Sequence, residues 1–375
     1  MGSLKSYIEA LDSRLGGIKA VSPKVSIIVT NYNYSNYIVD CLQSVSNQGY
    51  PDIECIVVDD HSEDDSVTKI RRFLDGDKSH VVFQLVTHET TRGQYGAFRT
   101  GLAHADGAFI SFLDADDLLL TDFVSEHVRV HLILPPVAFT SSNQYQIDSK
   151  GQVIGGTHPD LHTHRTYRTV GTVSLHRNFW VWATTSSMMF RRSVLDYVLS
   201  SADDAFRKCA DNYICHFCNI LGGSILIPRV LGCYRRHQRN IFSNNPLIGG
   251  RLPTGDMRNH PAHHLVLDHI CARLFDCSQR FIALLGVNGF LDILAKVTPP
   301  QHLWRNGHSA GRNGVVGLRP FLNFYWIYSL LCIRKIIRLL RNRPSSVTLH
   351  DLEGAKPATM ITSYASHQYS RRDAK

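Results

Sequence analysis

Residues 108–117 read Ala108-Phe109-Ile110-Ser111-Phe112-Leu113-Asp114-Ala115-Asp116-Asp117. The first six form a short, almost wholly apolar run that ends abruptly in three carboxylates. An apolar run bounded by polar residues is the pattern of a strand covered on both faces, as in a parallel sheet. In open parallel sheets, ligands sit beyond the carboxyl ends of the strands, so Asp114, Asp116 and Asp117 fall where a site would be. Two acids one residue apart can reach a single divalent cation, and Mg²⁺ prefers oxygen ligands shared with phosphates. A loop that merely caps a strand would have the same composition, so the neighbouring segments decide.

Upstream, the same unit repeats. Val25 to Thr30 is a β-branched, non-alternating run followed by Asn31-Tyr32-Asn33-Tyr34. A helix is predicted from Ser35 or Asn36, both good N-caps, and is stopped by Gly49 and Pro51. Ile53 to Val58 is a second strand ending in Asp59 and Asp60, and Ser62 to Ser66 opens a second helix. Val81 to Thr87 is a third strand and Gly96 to His104 a third helix, before the Ala108 strand returns. Alternating strands and helices give an α/β fold of Rossmann-like character, a mostly parallel sheet with right-handed crossovers and helices on both faces.

Downstream, the order changes. Asp122 to Leu134 is a predicted helix closed by Pro135 and Pro136; Val137–Thr140 and Tyr145–Ile147 are short strands. Gly151 to Arg177, with little periodicity, is predicted to be loop. Ser187 to Phe190 is a strand, Ser193 to Leu199 and Asp211 to Leu221 are helices, and Ser224 to Ile227 is a strand. There is no repeat of solenoid type.

The chain of 375 residues can bury a full core, and its 43% hydrophobic and 19% charged content is that of a soluble globular enzyme. A net charge of +8 suits nucleic acid, anionic lipid or a phosphorylated small molecule, and charge alone does not choose. Nine scattered cysteines point to a reducing compartment. Cys215 and Cys218 form a lone CxxC without a second pair at zinc spacing, and read as packing positions on a helix. Neither His158, His162 and His164 nor His260, His263 and His264 follows a HExxH pattern, so both groups read as loop or surface histidines. Residues 1–23 lack a continuous apolar core and read as an amphipathic lead-in helix rather than a secretory signal.

Taken together, the loops resemble those of the family 2, GT-A fold glycosyltransferases, inverting enzymes that use nucleotide-diphospho-sugars. The resemblance covers about Val25 to Asn240. It rests on Val25 to Asn33, Val57-Val58-Asp59-Asp60-His61-Ser62, Gly93 to Gly101, Leu113 to Asp117, Ala210-Asp211-Asn212, and Tyr234-Arg235-Arg236-His237 with Asn240. His61 stands where the family usually has glycine, Thr91 and Thr100 where asparagines are common, and Ala210 in place of an acid. The resemblance implies that Thr30 and Tyr32 contact the base, that Asp60 bonds its imide, normally of uracil, and that Asp59 meets the ribose or holds the loop. It places Arg99 towards the diphosphate, Asp114 at the ribose side and Asp116 on Mg²⁺ or Mn²⁺. Asp211 becomes the general base, and an acid at a helix start also suits N-capping. Trp180 and Trp182 are assigned to the acceptor side; Tyr234, Arg235 and His237 belong to the segment that closes over the diphosphate.

The resemblance fades beyond Asn240. Ser243 to His260 reads as loop, and Leu265–Phe275 and Phe281–Leu294 as helices. Pro320 to Ile333 carries no charge but is too short to span a bilayer comfortably, which needs about 20 residues. Arg334, Lys335, Arg338 and Arg341 lie opposite Ile333, Ile336, Ile337 and Leu340. Such a helix suits an anionic membrane surface, or packing on protein. The expected organisation is a lead-in at 1–24 and a glycosyltransferase domain at 25–242, with nucleotide-sugar half 25–120 and acceptor half 121–242. A helical extension at 243–343 and a polar tail at 344–375 follow. The expected activity is metal-dependent, inverting hexosyl transfer from a UDP-linked donor to a glycan or glycolipid acceptor. It would proceed in the cytoplasm or peripherally on the inner membrane face, without nucleic acid. The rival readings are an inactive nucleotide-sugar-binding relative and a nucleotidyltransferase; the latter's glycine-rich triphosphate loop is missing from Asn31–Tyr34.

Overall fold

The structure, a computed structural model, describes residues 22–134, 136–155, 166–172, 175, 180–199, 206, 210–237, 240, 261–297 and 329. The lead-in helix, both histidine groups except for the backbone of His263 and His264, the 243–260 loop, the basic helix and the tail all fall outside the described residues. Among the described residues no helix is long and apolar enough to cross a membrane.

The strands are β1 (Val25–Asn31), β2 (Ile53–Asp59), β3 (Val82–Thr87), β4 (Phe109–Asp114), β5 (Leu118–Leu119), β6 (Phe139–Ile147), β7 (Val153–Gly155), β8 (Arg168–Val170), β9 (Met188–Arg191) and β10 (Ser224–Arg235). The helices are α1 (Ile38–Ser46), α2 (Ser66–Gly76), α3 (Gly93–His104), α4 (Phe123–Ile133), α5 (Arg192–Val198), α6 (Ala210–Gly222), α7 (Pro261–Asp276) and α8 (Ser278–Val297), the last kinked at Gly286. One sheet runs β3-β2-β1-β4-β9-β6-β10-β5, with β7 on β6 and β8 on β10. Its first four strands are all parallel. At β4 the direction switches: β9 pairs antiparallel with both β4 and β6. The α/β class stands, with a parallel first half and a mixed second half.

Alternation along the buried strands divides the core between two faces. Ile28, Ile56, Val58, Ile110 and Phe112 pack under α3 and α5–α8. Val25, Ile27, Val29, Val57 and Leu113 pack under α1, α2 and α4. Helix α3 approaches β1 closely because position 101 is glycine; a Cβ there would collide with Ile28 Cγ2.

Three sequence expectations change. The predicted strands at 137–140 and 145–147 are one strand, β6, because Ser141, Ser142 and Asn143 are buried mid-strand. Ser141 and Ser142 bond to Ser187 through Oγ at 3.1 Å and O at 3.3 Å, which satisfies hydroxyls that otherwise read as loop. The strand predicted at 224–227 continues to Arg235; its register shifts between Leu226 and Gly232 accommodate Pro228. Finally, the expected loop at 151–177 contains β7 and β8.

Candidate active site

The register of β1 brings the ends of three strands level: Thr30 lies opposite Asp114, and Asn31 opposite Asp59. Thr30 Oγ1 donates to Asp114 Oδ1 at 3.4 Å. The chain then turns tightly, Asp117 N–H bonding to Asp114 O at 3.0 Å and Ala115 N–H to Thr30 O at 3.1 Å. Asp116, 5% exposed, accepts from His237 Nε2 at 2.9 Å and Asn240 Nδ2 at 3.1 Å through one oxygen, Oδ2. Asp117 accepts the Arg235 N–H at 2.9 Å, while its Oδ2 is buried without a partner.

Asp211 arrives from the opposite side, in the first turn of α6, where the Asn212 N–H donates to it at 2.9 Å. Burial pushes its carboxyl above the ordinary range. Burial, and then the charges of Asp116 and Asp211, push Asp114 up to about 7 against the pull of Thr30 and Gln94. Burial, and then the charges of Asp116 and Asp114, hold Asp117 well up too. Asp114, Asp116 and Asp211 therefore share one electrostatic environment, and crowded like charges are what a bound cation relieves.

Among the described residues no group of three or more His, Cys, Asp or Glu side chains is arranged to hold a metal alone. Asp116 and His237 do offer an oxygen and a nitrogen 2.9 Å apart beside the other acids. That donor set fits a hard or borderline cation completed by phosphate oxygens.

The nucleotide-side loops are braced on each other. Asn33 and His61 both have positive φ, 60° and 66°. Asn33 N–H donates to Ser62 Oγ at 2.9 Å and Asn33 Oδ1 accepts from Glu63 N–H at 2.8 Å. Asp59 is 1% exposed and takes Asn31 Nδ2, Ser62 N–H and Ser62 Oγ at 2.7–2.9 Å, so its role is to hold the loop. Asp60 binds the start of α3 through Arg92 N–H at 2.7 Å and Gly93 N–H at 2.8 Å, and His88 Nδ1 at 2.6 Å. Oδ2 carries only the Gly93 bond among these, leaving room for a second donor. Gly93, at φ 73°, is the residue that lets this N–H turn inward. Tyr32 is 47% exposed beside this loop, and Arg99 is half-buried on α3.

Two assignments are corrected. Trp182 is fully buried, its Nε1 donating to Ser224 Oγ at 2.9 Å and its ring against Phe139, which leaves no face for a sugar. Arg235 is 2% exposed; Nε bonds to Asp116 O at 2.8 Å, and the guanidinium lies over Tyr37 at 4.8 Å. It shapes the acidic turn from within. Trp180 is half-buried against Trp182 and His216. Tyr234 is half-buried, its phenol pushed up by burial and by Asp117, Asp116 and Asp114. Cys215 and Cys218 are buried thiols that burial pushes up, the reverse of a reactive pair.

Other residues enter the site without having been expected. The His237 ring stacks on Tyr37 with centroids 5.0 Å apart and meets Tyr34 edge-on at 5.5 Å. Ser186 Oγ accepts the Asp114 N–H at 3.1 Å. The run Thr184-Thr185-Ser186-Ser187 was the available signal for that turn; for Gln94 the sequence offers none.

Residues 26–198 match the family model described as glycosyl transferase family 2. An uncharacterized glycosyltransferase of Nostoc sp. is 31% identical over 225 residues, 58% of this chain and 66% of that one. The Escherichia coli UDP-Glc:alpha-D-GlcNAc-diphosphoundecaprenol beta-1,3-glucosyltransferase WfgD is 32% identical over 131 residues, 35% of this chain and 49% of that protein. The matched stretches thus span 66% and 49% of these relatives' lengths. Among solved structures, Staphylococcus aureus TarS matches with a TM-score of 0.47 and 16% identity, over 67% of this chain and 40% of TarS. Through residues 26–198, which carry β1 to β9 and the Asp114–Asp117 turn, the chain belongs to glycosyl transferase family 2.

Proposed function

We propose that the protein transfers a hexose, with inversion, from a UDP-linked donor to a hydroxyl of a lipid-linked glycan or other glycan acceptor. The convergence of Asp114, Asp116 and Asp211 from distant parts of the chain, with Asp114 feeling the charge of both others, carries this reading. The exposed Tyr32 ring is available to stack on a base, and the second acceptor position on Asp60 Oδ2 suits an imide N–H. The UDP-linked donor and lipid-diphosphate acceptor in the name of the Escherichia coli relative support the same substrate classes here.

Asp116 and His237 would hold Mg²⁺ or Mn²⁺, with Asp114 beside them. When bound, that ion supplies charge neutralisation for the departing nucleotide diphosphate. In the transfer itself the acceptor oxygen bonds to the anomeric carbon as the bond from that carbon to the phosphate oxygen breaks. Asp211 takes the acceptor's proton, and its raised affinity for protons, caused by burial, brings it nearer to neutral pH than an ordinary aspartate. The Asn212 N–H holds its carboxyl in place. Thr30 orients Asp114 through its hydroxyl.

A panel of UDP-, GDP- and dTDP-sugars with Mn²⁺, scored for donor hydrolysis and for transfer to a lipid-diphosphate sugar, tests the assignment. The expected result is turnover of a UDP-sugar that chelation abolishes, with inverted configuration in the glycoside product. Selective turnover of a GDP- or dTDP-sugar would overturn the donor base, and retained configuration would overturn the role of Asp211.

A further inference from the structure

Asp60 follows β2 and His88 follows β3, and both are almost wholly covered, 5% and 6% exposed. Backbone bonds fix where they stand: the Asp60 N–H donates to Asn31 O at 2.8 Å and the His88 N–H to Asp59 O at 2.9 Å. The two side chains then meet, His88 Nδ1 lying 2.6 Å from Asp60 Oδ1. A carboxylate only accepts, so Nδ1 carries the proton of this bond. On the far side of the ring, Nε2 lies 2.8 Å from Thr100 Oγ1 of α3. Both ring nitrogens are therefore held.

A carboxylate offers about four acceptor positions, two on each oxygen. On Asp60, Oδ1 takes His88 Nδ1 and the Arg92 N–H, while Oδ2 takes the Gly93 N–H. The position left over lies on Oδ2. We propose that His88 is a positioning residue: by filling Oδ1, it makes Asp60 present one acceptor, on Oδ2, to the imide N–H of a uracil base. The proposal rests on the reading of Asp60 as the base-binding acid, and adds what sets its aim. The start of α3 gives one N–H to each oxygen, at 2.7 and 2.8 Å, and so does not distinguish them. The imidazole breaks that symmetry, and Thr100 keeps the ring from swinging away.

Two substitutions separate donation from bulk. In His88→Asn the amide nitrogen falls near the place of Nδ1 and restores the donor, although the side chain is short. In His88→Gln it falls near the place of Nε2, so more volume is kept but the donor to Asp60 is lost. The probes are UDP and UDP methylated on its imide nitrogen, titrated calorimetrically into the full chain with Mg²⁺. Wild type is expected to favour UDP. H88Q is expected to weaken UDP by on the order of 10-fold, the scale of one hydrogen bond to a charged group, and to leave the methylated ligand unchanged. H88N is expected to bind UDP within about threefold of wild type, since that bond is remade. Equal weakening of both ligands in H88Q, or tighter UDP binding by H88Q than by H88N, overturns the proposal. A wild type that binds both ligands equally overturns the uracil reading of Asp60, and the role of His88 with it. The wild-type chain also answers without any variant: the imidazole Nδ1 proton resonance of His88 is expected to shift with UDP and not with the methylated ligand. If no imidazole N–H resonance responds to UDP alone, the coupling of His88 to the base is overturned.

Discussion

His237 Nε2 lies 2.9 Å from Asp116 Oδ2, and the same imidazole stacks on Tyr37 with centroids 5.0 Å apart. The end of β10 is thereby fastened both to the acidic turn and to the loop after β1. His237→Ala is expected to weaken UDP binding in Mn²⁺ by on the order of 10–100-fold, the usual cost of losing a group that ligates or orients at a metal site. Binding without added metal is expected to change far less. Calorimetric titration with UDP, with and without Mn²⁺, checks both.

Asp211→Asn preserves shape and removes the proton acceptor. Transfer is expected to fall by about 10²–10⁴-fold, the range for a positioned general base, while UDP binding in Mn²⁺ stays at the wild-type level. Steady-state kinetics alongside equilibrium binding separates the two. Equal losses in both would return Asp211 to a capping role.

The sequence made the first half of the sheet legible because its strands are buried on both faces and read as unbroken apolar runs. The three acids after Leu113 were legible for the same reason, being an abrupt stop to such a run. The second half hid itself. Ser141, Ser142 and Asn143 look like loop until Ser187 and the neighbouring strands are seen to satisfy them, and Pro228 interrupts β10 only at a bulge. Trp182 and Arg235 misled in the opposite way. Their residue types suit sugar and phosphate, but both are buried and spend their polar atoms on the protein. Gln94 is invisible in one dimension, since the Ala210 N–H that its Oε1 accepts lies on another element.

His61 adopts φ 66° on an exposed turn, a conformation that L side chains disfavour. The left-handed region costs a non-glycine residue roughly 1–2 kcal/mol, and glycine brings back about 0.5–1 kcal/mol of chain entropy. His61→Gly is therefore expected to stabilise by roughly 0.5–1 kcal/mol, the difference between these terms. The β-branched His61→Ile is expected to destabilise. Urea denaturation of the two variants measures both signs.

Burial lowers His127 to about 3 and His131 to about 4 from an ordinary value of 6.5. In the unfolded chain both take up protons as pH falls below 6.5, while the folded protein resists. Stability is therefore fully present above about 6.5 and is lost as pH falls towards 4, by up to about 1.4 kcal/mol per pH unit for each histidine. Asp114, raised to about 7, acts oppositely, favouring the fold at low pH and losing that contribution as pH rises towards 7. Denaturation midpoints against pH are expected to show a shallower acid slope in His127→Gln and a steeper one in Asp114→Asn.

Trp182→Phe removes the Ser224 bond and part of a fully buried ring. A loss of about 1–3 kcal/mol in stability is expected. The KM for acceptor is expected to remain at the wild-type value, which acceptor-dependence kinetics would show. A selective rise in that KM would restore Trp182 to the sugar site.

Because β4 is paired in parallel with β1 and antiparallel with β9, the strand bearing the acidic turn is stitched to both halves of one uninterrupted sheet. Among the described residues this sheet has no backbone seam along which its two halves could swing apart as lobes. Opening and shutting during turnover therefore falls to side chains and to the segments beyond the strand tips. The Asp114–Asp117 turn thus rises from a strand whose backbone is paired along both edges.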